Sequence, residues 1–368
     1  MLETQPLPTA PVETLTSVEQ RLRQASGPTR RRQMLTLVAR AAVTLLLLAL
    51  LLRSISWPVL VAAVADLAPI PAVAGLAVGV GGVLISTYQW RVLLAAGGVR
   101  MHFGLLVRLY LAGIAFSHFL PTGMGGDAYK AVYVGQESGN FPGSASAAVL
   151  ARVTGFLGML LVATPALLLG RDAYSGRLAP VFGVAAGLVL ALLAAVTLGA
   201  AFVPRFVPGH VARWRPIAAA VRFGGALRAA LARPRALIAA TLIGAGFWVV
   251  GCLNYAAYGV ALGIHIPVGY YFVAVPLVSL VTFLPIAING YGLRESAIVS
   301  ALGVAGVAPA MALLLALVMD AQVLLFGAIG GIIYARLPRP AEAATEPGTY
   351  RDGVGGVPHG AAGATDVV

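Results

Sequence analysis

The chain has 368 residues, 59% of them hydrophobic and only 10% charged, with a mean hydropathy of +0.90. So few polar groups cannot cover that much apolar surface in water, which excludes an ordinary soluble domain and predicts an all-α polytopic membrane protein. The net charge of +12 comes from 25 Lys and Arg residues, all but Lys130 being arginine. Much of it lies between apolar runs, so it reads as a topology determinant and a contact for anionic membrane lipids, with no nucleic-acid role.

In chain order, residues 1–33 form a polar leader containing Arg21, Arg23, Arg30, Arg31 and Arg32, expected to be disordered and cytoplasmic. The apolar run after it is expected to be a retained anchor rather than a cleaved signal. Runs long enough to cross or nearly cross a bilayer lie at 34–52, 70–89, 103–120, 144–169, 178–203, 236–260, 267–288 and 309–335. The segment 204–235 holds seven arginines and no acid, which places it on the cytoplasmic side. Within it Arg215, Arg222, Arg228 and Arg235 alternate with Ile217, Val221, Leu227 and Leu231, a spacing that predicts an amphipathic helix on the membrane surface. The tail 336–368, rich in Pro and Gly, is expected to be disordered and cytoplasmic as well.

Five runs precede the basic segment, and five crossings from a cytoplasmic N-terminus would leave that segment outside. Treating 103–140 as a re-entrant hairpin restores the positive-inside pattern. The same treatment of 267–304 returns Arg336 and Arg339 to the cytoplasm. The domain 34–335 is therefore predicted to have six full spans plus two re-entrant hairpins, in the cytoplasmic membrane with both termini inside.

The two hairpins share a motif. Leu120-Pro121-Thr-Gly-Met-Gly125-Gly126-Asp127-Ala-Tyr-Lys130 is echoed 164 positions later by Leu284-Pro285-Ile-Ala-Ile-Asn-Gly290-Tyr-Gly292-Leu-Arg294. Moving 70–89, 103–140 and 144–169 by the same distance lands on the corresponding second-half runs. Halves of about 34–170 and 178–335 read as an inverted repeat, the arrangement in which transporters place a midplane site between broken helices. Chance recurrence of Leu-Pro and Gly-Gly in this composition is the competing reading.

Outside the two tails the acids are Asp66, Asp127, Glu137, Asp172, Glu295 and Asp320. Asp127 with Lys130, and Glu295 with Arg294, would set one cation and one anion at each hairpin tip, either as mutual caps or as the wall of a hydrated cavity. Arg108 and Arg152 lie about a third of the way along their runs. They either snorkel to the interface or converge with Lys130 and Arg294 on one anionic group, a phosphate above all, since guanidinium forks match its oxygens. Gly125, Gly126, Gly290 and Gly292 would let backbone N–H groups approach the same charge. Asp320, central in the last run, is either a counter-ion for one arginine or a proton-coupling site; His118 is either a titrating switch or simply hydrogen-bonded. Asn254 and Tyr255 read as helix-packing polar residues. Cys252, the single cysteine, excludes an intrachain disulfide and reads as a small buried hydrophobe or, alternatively, a reactive thiol. The sequence carries no catalytic, metal or cofactor motif.

With both motifs in hand, the chain resembles the lysylphosphatidylglycerol synthase transmembrane-domain family of flippase-like integral membrane proteins. The resemblance covers about residues 35–335 and rests on Pro121 through Gly125-Gly126-Asp127 to Lys130, on Arg152, and on Pro285 through Gly290-Tyr291-Gly292-Leu293-Arg294-Glu295. The chain departs from the family pattern at Lys130, Ala151, Ala287 and Asn289. The resemblance implies the membrane portion of proteins that make and move aminoacylated phosphatidylglycerol, without their aminoacyltransferase domain; other relatives serve polyprenyl-phosphate sugar pathways. The leading expectation is a flippase-like transporter of an anionic phospholipid, an aminoacyl-phospholipid or a polyprenyl-phosphate-linked lipid, with no cofactor. One alternative is an intramembrane polyprenyl-phosphate-dependent transferase with Asp127 or Glu295 as general base. Another is a membrane scaffold whose partner is a separate glycosyl- or aminoacyltransferase.

Overall fold

A computed structural model describes residues 68–119, 125–169, 171–202, 215–283 and 292–337. The segments there are α1 (Pro69–Ala96), α2 (Phe103–Phe119), α3 (Gly125–Ser138), α4 (Phe141–Leu169), α5 (Arg171–Phe202), α6 (Arg215–Leu231), α7 (Pro234–Ala261), α8 (Val268–Phe283), α9 (Leu293–Val304) and α10 (Pro309–Arg336), with no strand among the described residues. The run 34–52 and both flanking tails lie outside the described residues.

Proline starts the long helices. Pro69, Pro234 and Pro309 each occupy the first turn of a 28-residue helix, where the missing N–H has no partner to lose and the fixed φ already suits the helix. Such helices are about 42 Å long, enough to cross a hydrocarbon core of about 30 Å with some tilt. Among the described residues five helical segments are long and apolar enough to do so: Pro69–Ala96, Phe141–Leu169, Ala179–Ala200, Pro234–Ala261 and Pro309–Arg336. Their outward faces are apolar, with Val73 and Leu84 on α1, Leu161 on α4, Leu242 on α7 and Ile332 on α10 all exposed. That is the surface a lipid solvent requires.

Small residues set the helix contacts. α1 and α7 form the central pair, with Gly75 under the ring of Tyr258 and Gly82 facing Phe247. Gly158 of α4 abuts the backbone of Gly244 and Ala245 on α7, and Gly330 of α10 abuts the Leu111 carbonyl on α2. Without a hydrophobic drive between helices in lipid, such close approach supplies the attraction through dispersion. Polar side chains then tie the same helices: Gln89 donates to Thr154 at 3.1 Å and to the Ala240 carbonyl at 3.0 Å, and the Trp248 indole donates to the Gly155 carbonyl at 2.9 Å.

α1 and α7 run antiparallel. The Ala68 amide, before α1, donates to the carbonyl of Ala261 at the end of α7, while the Arg233 guanidinium, before α7, reaches the carbonyl of Ala95 at the end of α1. A pair of shorter helices follows each of them. α2 and α3 leave and return at one place, because Asn140 donates to the Gly97 carbonyl at 3.1 Å and Gly97 touches Gly143 at the start of α4. α8 and α9 are likewise antiparallel, the Tyr270 hydroxyl in the first turn of α8 donating to the Ala301 carbonyl near the end of α9. The series α1–α4, of 28, 17, 14 and 29 residues, is thus followed after α5 and α6 by α7–α10, of 28, 16, 12 and 28.

The amphipathic helix expected in the basic segment is α6, which buries Leu227 and Ala230 against α4 and α5. It ends before Arg235, which the sequence pattern had assigned to it. Pro234 begins a new helix there, so Arg235 belongs to the first turn of α7.

Candidate lipid-headgroup site

The expected charges are gathered in two groups rather than one. In the first half Asp127 sits in the first turn of α3 and uses both carboxylate oxygens: Oδ1 accepts from Lys130 Nζ at 2.9 Å, and Oδ2 accepts from Arg152 Nε and Nη2, each at 2.7 Å. Arg152 lies on α4, so this pair joins the short helix to the long one that follows. The Lys130 ammonium is further enclosed by aromatic faces, 4.3 Å from the Tyr110 centroid and 5.2 Å from that of Trp90. The rings' negative faces offset part of the lost hydration.

Glycine makes this geometry possible. A β-carbon on Gly126 would collide with the Gly113 carbonyl and the Ser117 hydroxyl, so α3 can begin against α2 only without one. At the second motif Gly292 has φ of 77°, a left-handed conformation that side chains disfavour, and there it caps the start of α9.

In the second half Arg294 of α9 contacts Asp320 of α10. This ion pair joins α9 to α10. Glu295, the next residue, is 1% exposed. Arg108 projects from an exposed face of α2, apart from both groups. Gly290 lies outside the described residues, as do the side chain of His118 and Asp66.

Between the halves lies a cavity of about 300 Å³ lined by α1, α2, α7, α8, α9 and α10. Its walls are mostly apolar. Arg294 is the charged side chain that reaches it, alongside Ser86, Tyr110, Asn254, Tyr255, Ser279 and Gln322. Asn254 donates to Gln322 at 3.0 Å, which leaves the Asn254 carbonyl oxygen and the Gln322 amide nitrogen buried without partners among the described residues. Asn254 and Gln322 both line the cavity, although these two atoms are themselves buried. Tyr110 stands between the two charge groups, one ring serving both as cavity wall and as a face against Lys130.

Sequence reasoning singled out Asp127, Lys130, Arg152, Arg294, Glu295 and Asp320 but not Trp90 and Tyr110, the rings beside Lys130, which no motif marks. It also read Asn254 only as packing. One signal was available: Asp127 and Arg152 are 25 residues apart, and so are Glu295 and Asp320.

Apolar helices of bilayer length, outward apolar faces and buried charge pairs define a multi-pass, all-helical membrane protein. A family model described as the lysylphosphatidylglycerol synthase TM region matches residues 37–331, and the chain belongs to that family. No curated protein and no solved structure is detectably similar to it.

Proposed function

We propose that the protein is a flippase-like transporter that carries an anionic lipid between leaflets of the cytoplasmic membrane, its headgroup seated in the cavity and its chains remaining in lipid. The observation that carries this reading is a largely apolar cavity between two opposed helix series, with one guanidinium and an unmatched amide pair on its wall. In this reading α2–α3 and α8–α9 are re-entrant hairpins of an inverted repeat, 34–52 supplies the sixth span, and α6 lies on the cytoplasmic surface. Arg294 holds a phosphate oxygen, Asn254 and Gln322 hold the neighbouring polar atoms, and the Asp127 group fixes the opposite hairpin. Phospholipids, aminoacyl-phospholipids and polyprenyl-phosphate-linked lipids share the required phosphate.

The test is headgroup movement in vesicles of phosphatidylcholine and phosphatidylglycerol carrying trace fluorescent phosphatidylglycerol, bleached from outside by dithionite. Protein-containing vesicles are expected to lose inner-leaflet fluorescence, and Arg294→Ala to lose only the outer-leaflet fraction while remaining inserted. An unchanged rate in Arg294→Ala removes the site.

A further inference from the structure

The two charge groups occupy corresponding positions but carry opposite excess charge. Around Asp127 stand two cations, Lys130 and Arg152; around Arg294 stand two carboxyls, Glu295 and Asp320. Where the first half pairs an acid with a base 25 residues later, the second half has acids at both positions, and Asp320 pairs with Arg294 instead. Asp320 is already engaged by that cation. Glu295 is 1% exposed, and its Oε2 has no hydrogen-bond partner among the described residues. Tyr255 of α7 lies close enough to feel the charges of both Arg294 and Glu295, and Arg294 contacts Asp320 of α10. The titratable side chains of α8 are Tyr270, held by Ala301, and Tyr271. Among the described residues none of these adds a second cation.

We propose that Arg294, Glu295 and Asp320 form a proton-binding site coupled to the headgroup cavity, so that an anionic headgroup is taken up together with one proton. The inference rests on the lipid-transport reading of that cavity. With the cavity empty, Asp320 pairs with Arg294. When a phosphate oxygen of the incoming lipid takes the guanidinium, Asp320 loses its partner. Its carboxylate then accepts a proton from water in the cavity, forming an O–H bond. One negative headgroup and one proton have entered, so the net charge of the site is the same in both states. Loading is electroneutral, so lipid movement responds to a pH gradient rather than to membrane potential.

Calorimetric titration of the purified full-length protein in non-ionic detergent with dihexanoyl phosphatidylglycerol, repeated in two buffers of different ionisation enthalpy, counts the protons taken up. About one proton per bound lipid is expected, with affinity rising about tenfold for each unit of falling pH while the released carboxyl is the linked group. Glu295→Gln and Asp320→Asn each leave one carboxyl beside Arg294 and are expected to keep that uptake; the double variant is expected to bind the lipid with none. Binding without proton uptake in the wild-type protein, or uptake that persists in the double variant, overturns the coupling and leaves the headgroup site standing. Failure of the lipid to bind at any pH between about 5 and 8 overturns the site and the coupling together.

Discussion

Replacing Asp127 by asparagine keeps the shape of the side chain and removes the charge that holds α3 to α4. Both carboxylate oxygens are committed, one to Lys130 at 2.9 Å and one to Arg152 at 2.7 Å. Breaking a fully buried ion pair by removing one partner costs about 3–5 kcal/mol. The Asp127 and Arg152 side chains are 28% and 30% exposed, so solvent screens part of this. A loss of about 2–3 kcal/mol follows, arising from two cations left facing each other beside Trp90 and Tyr110. Arg152→Met alone should cost less, about 1 kcal/mol, because Asp127 keeps Lys130. The double variant Asp127→Asn, Arg152→Met relieves the repulsion, so the two losses should fall short of additivity by about 1–2 kcal/mol. Reversible unfolding by SDS in mixed micelles, followed by tryptophan fluorescence, gives all three values. Strict additivity, or an Asp127→Asn loss under about 0.5 kcal/mol, would refute the claim that this carboxylate joins the two helices.

Two further outcomes follow from packing. Gly126→Ala drives a methyl into the Gly113 carbonyl and should destabilise by about 1–3 kcal/mol in the same unfolding assay. Gly183→Ala on α5, with open space around it, should be neutral or slightly stabilising, and equal losses at both positions would contradict the tight α2–α3 approach. Cys252 is fully buried, so a bulky maleimide should leave the native protein unlabelled and react only after SDS unfolding; rapid labelling of native protein would contradict the placement of α7.

Hydropathy alone located the spans, because a lipid solvent demands long uninterrupted apolar runs. The runs at 70–89, 144–169, 236–260 and 309–335 each fall within or almost within one long helix. Positive charge marked 204–235 as a connection, although Pro234, rather than the arginine spacing, decided where α6 ends. The glycine motifs pointed to the two places where helices break, and Gly126 and Gly292 have stereochemical reasons for being glycine.

The amino-acid order by itself determined the class of molecule, the approximate helix boundaries and the handful of charged residues too deep in apolar sequence to be incidental. Partnership among those charges came from tertiary structure alone. Motif spacing paired Lys130 with Arg294, whereas folding gives Lys130 to Asp127 and two rings and turns Arg294 toward the cavity beside Asp320. The reason is geometric: a buried ion is stabilised by whatever lies within a few ångströms across a helix interface, and the rotation and close approach of the helices, set by glycines on each, decide which side chains those are.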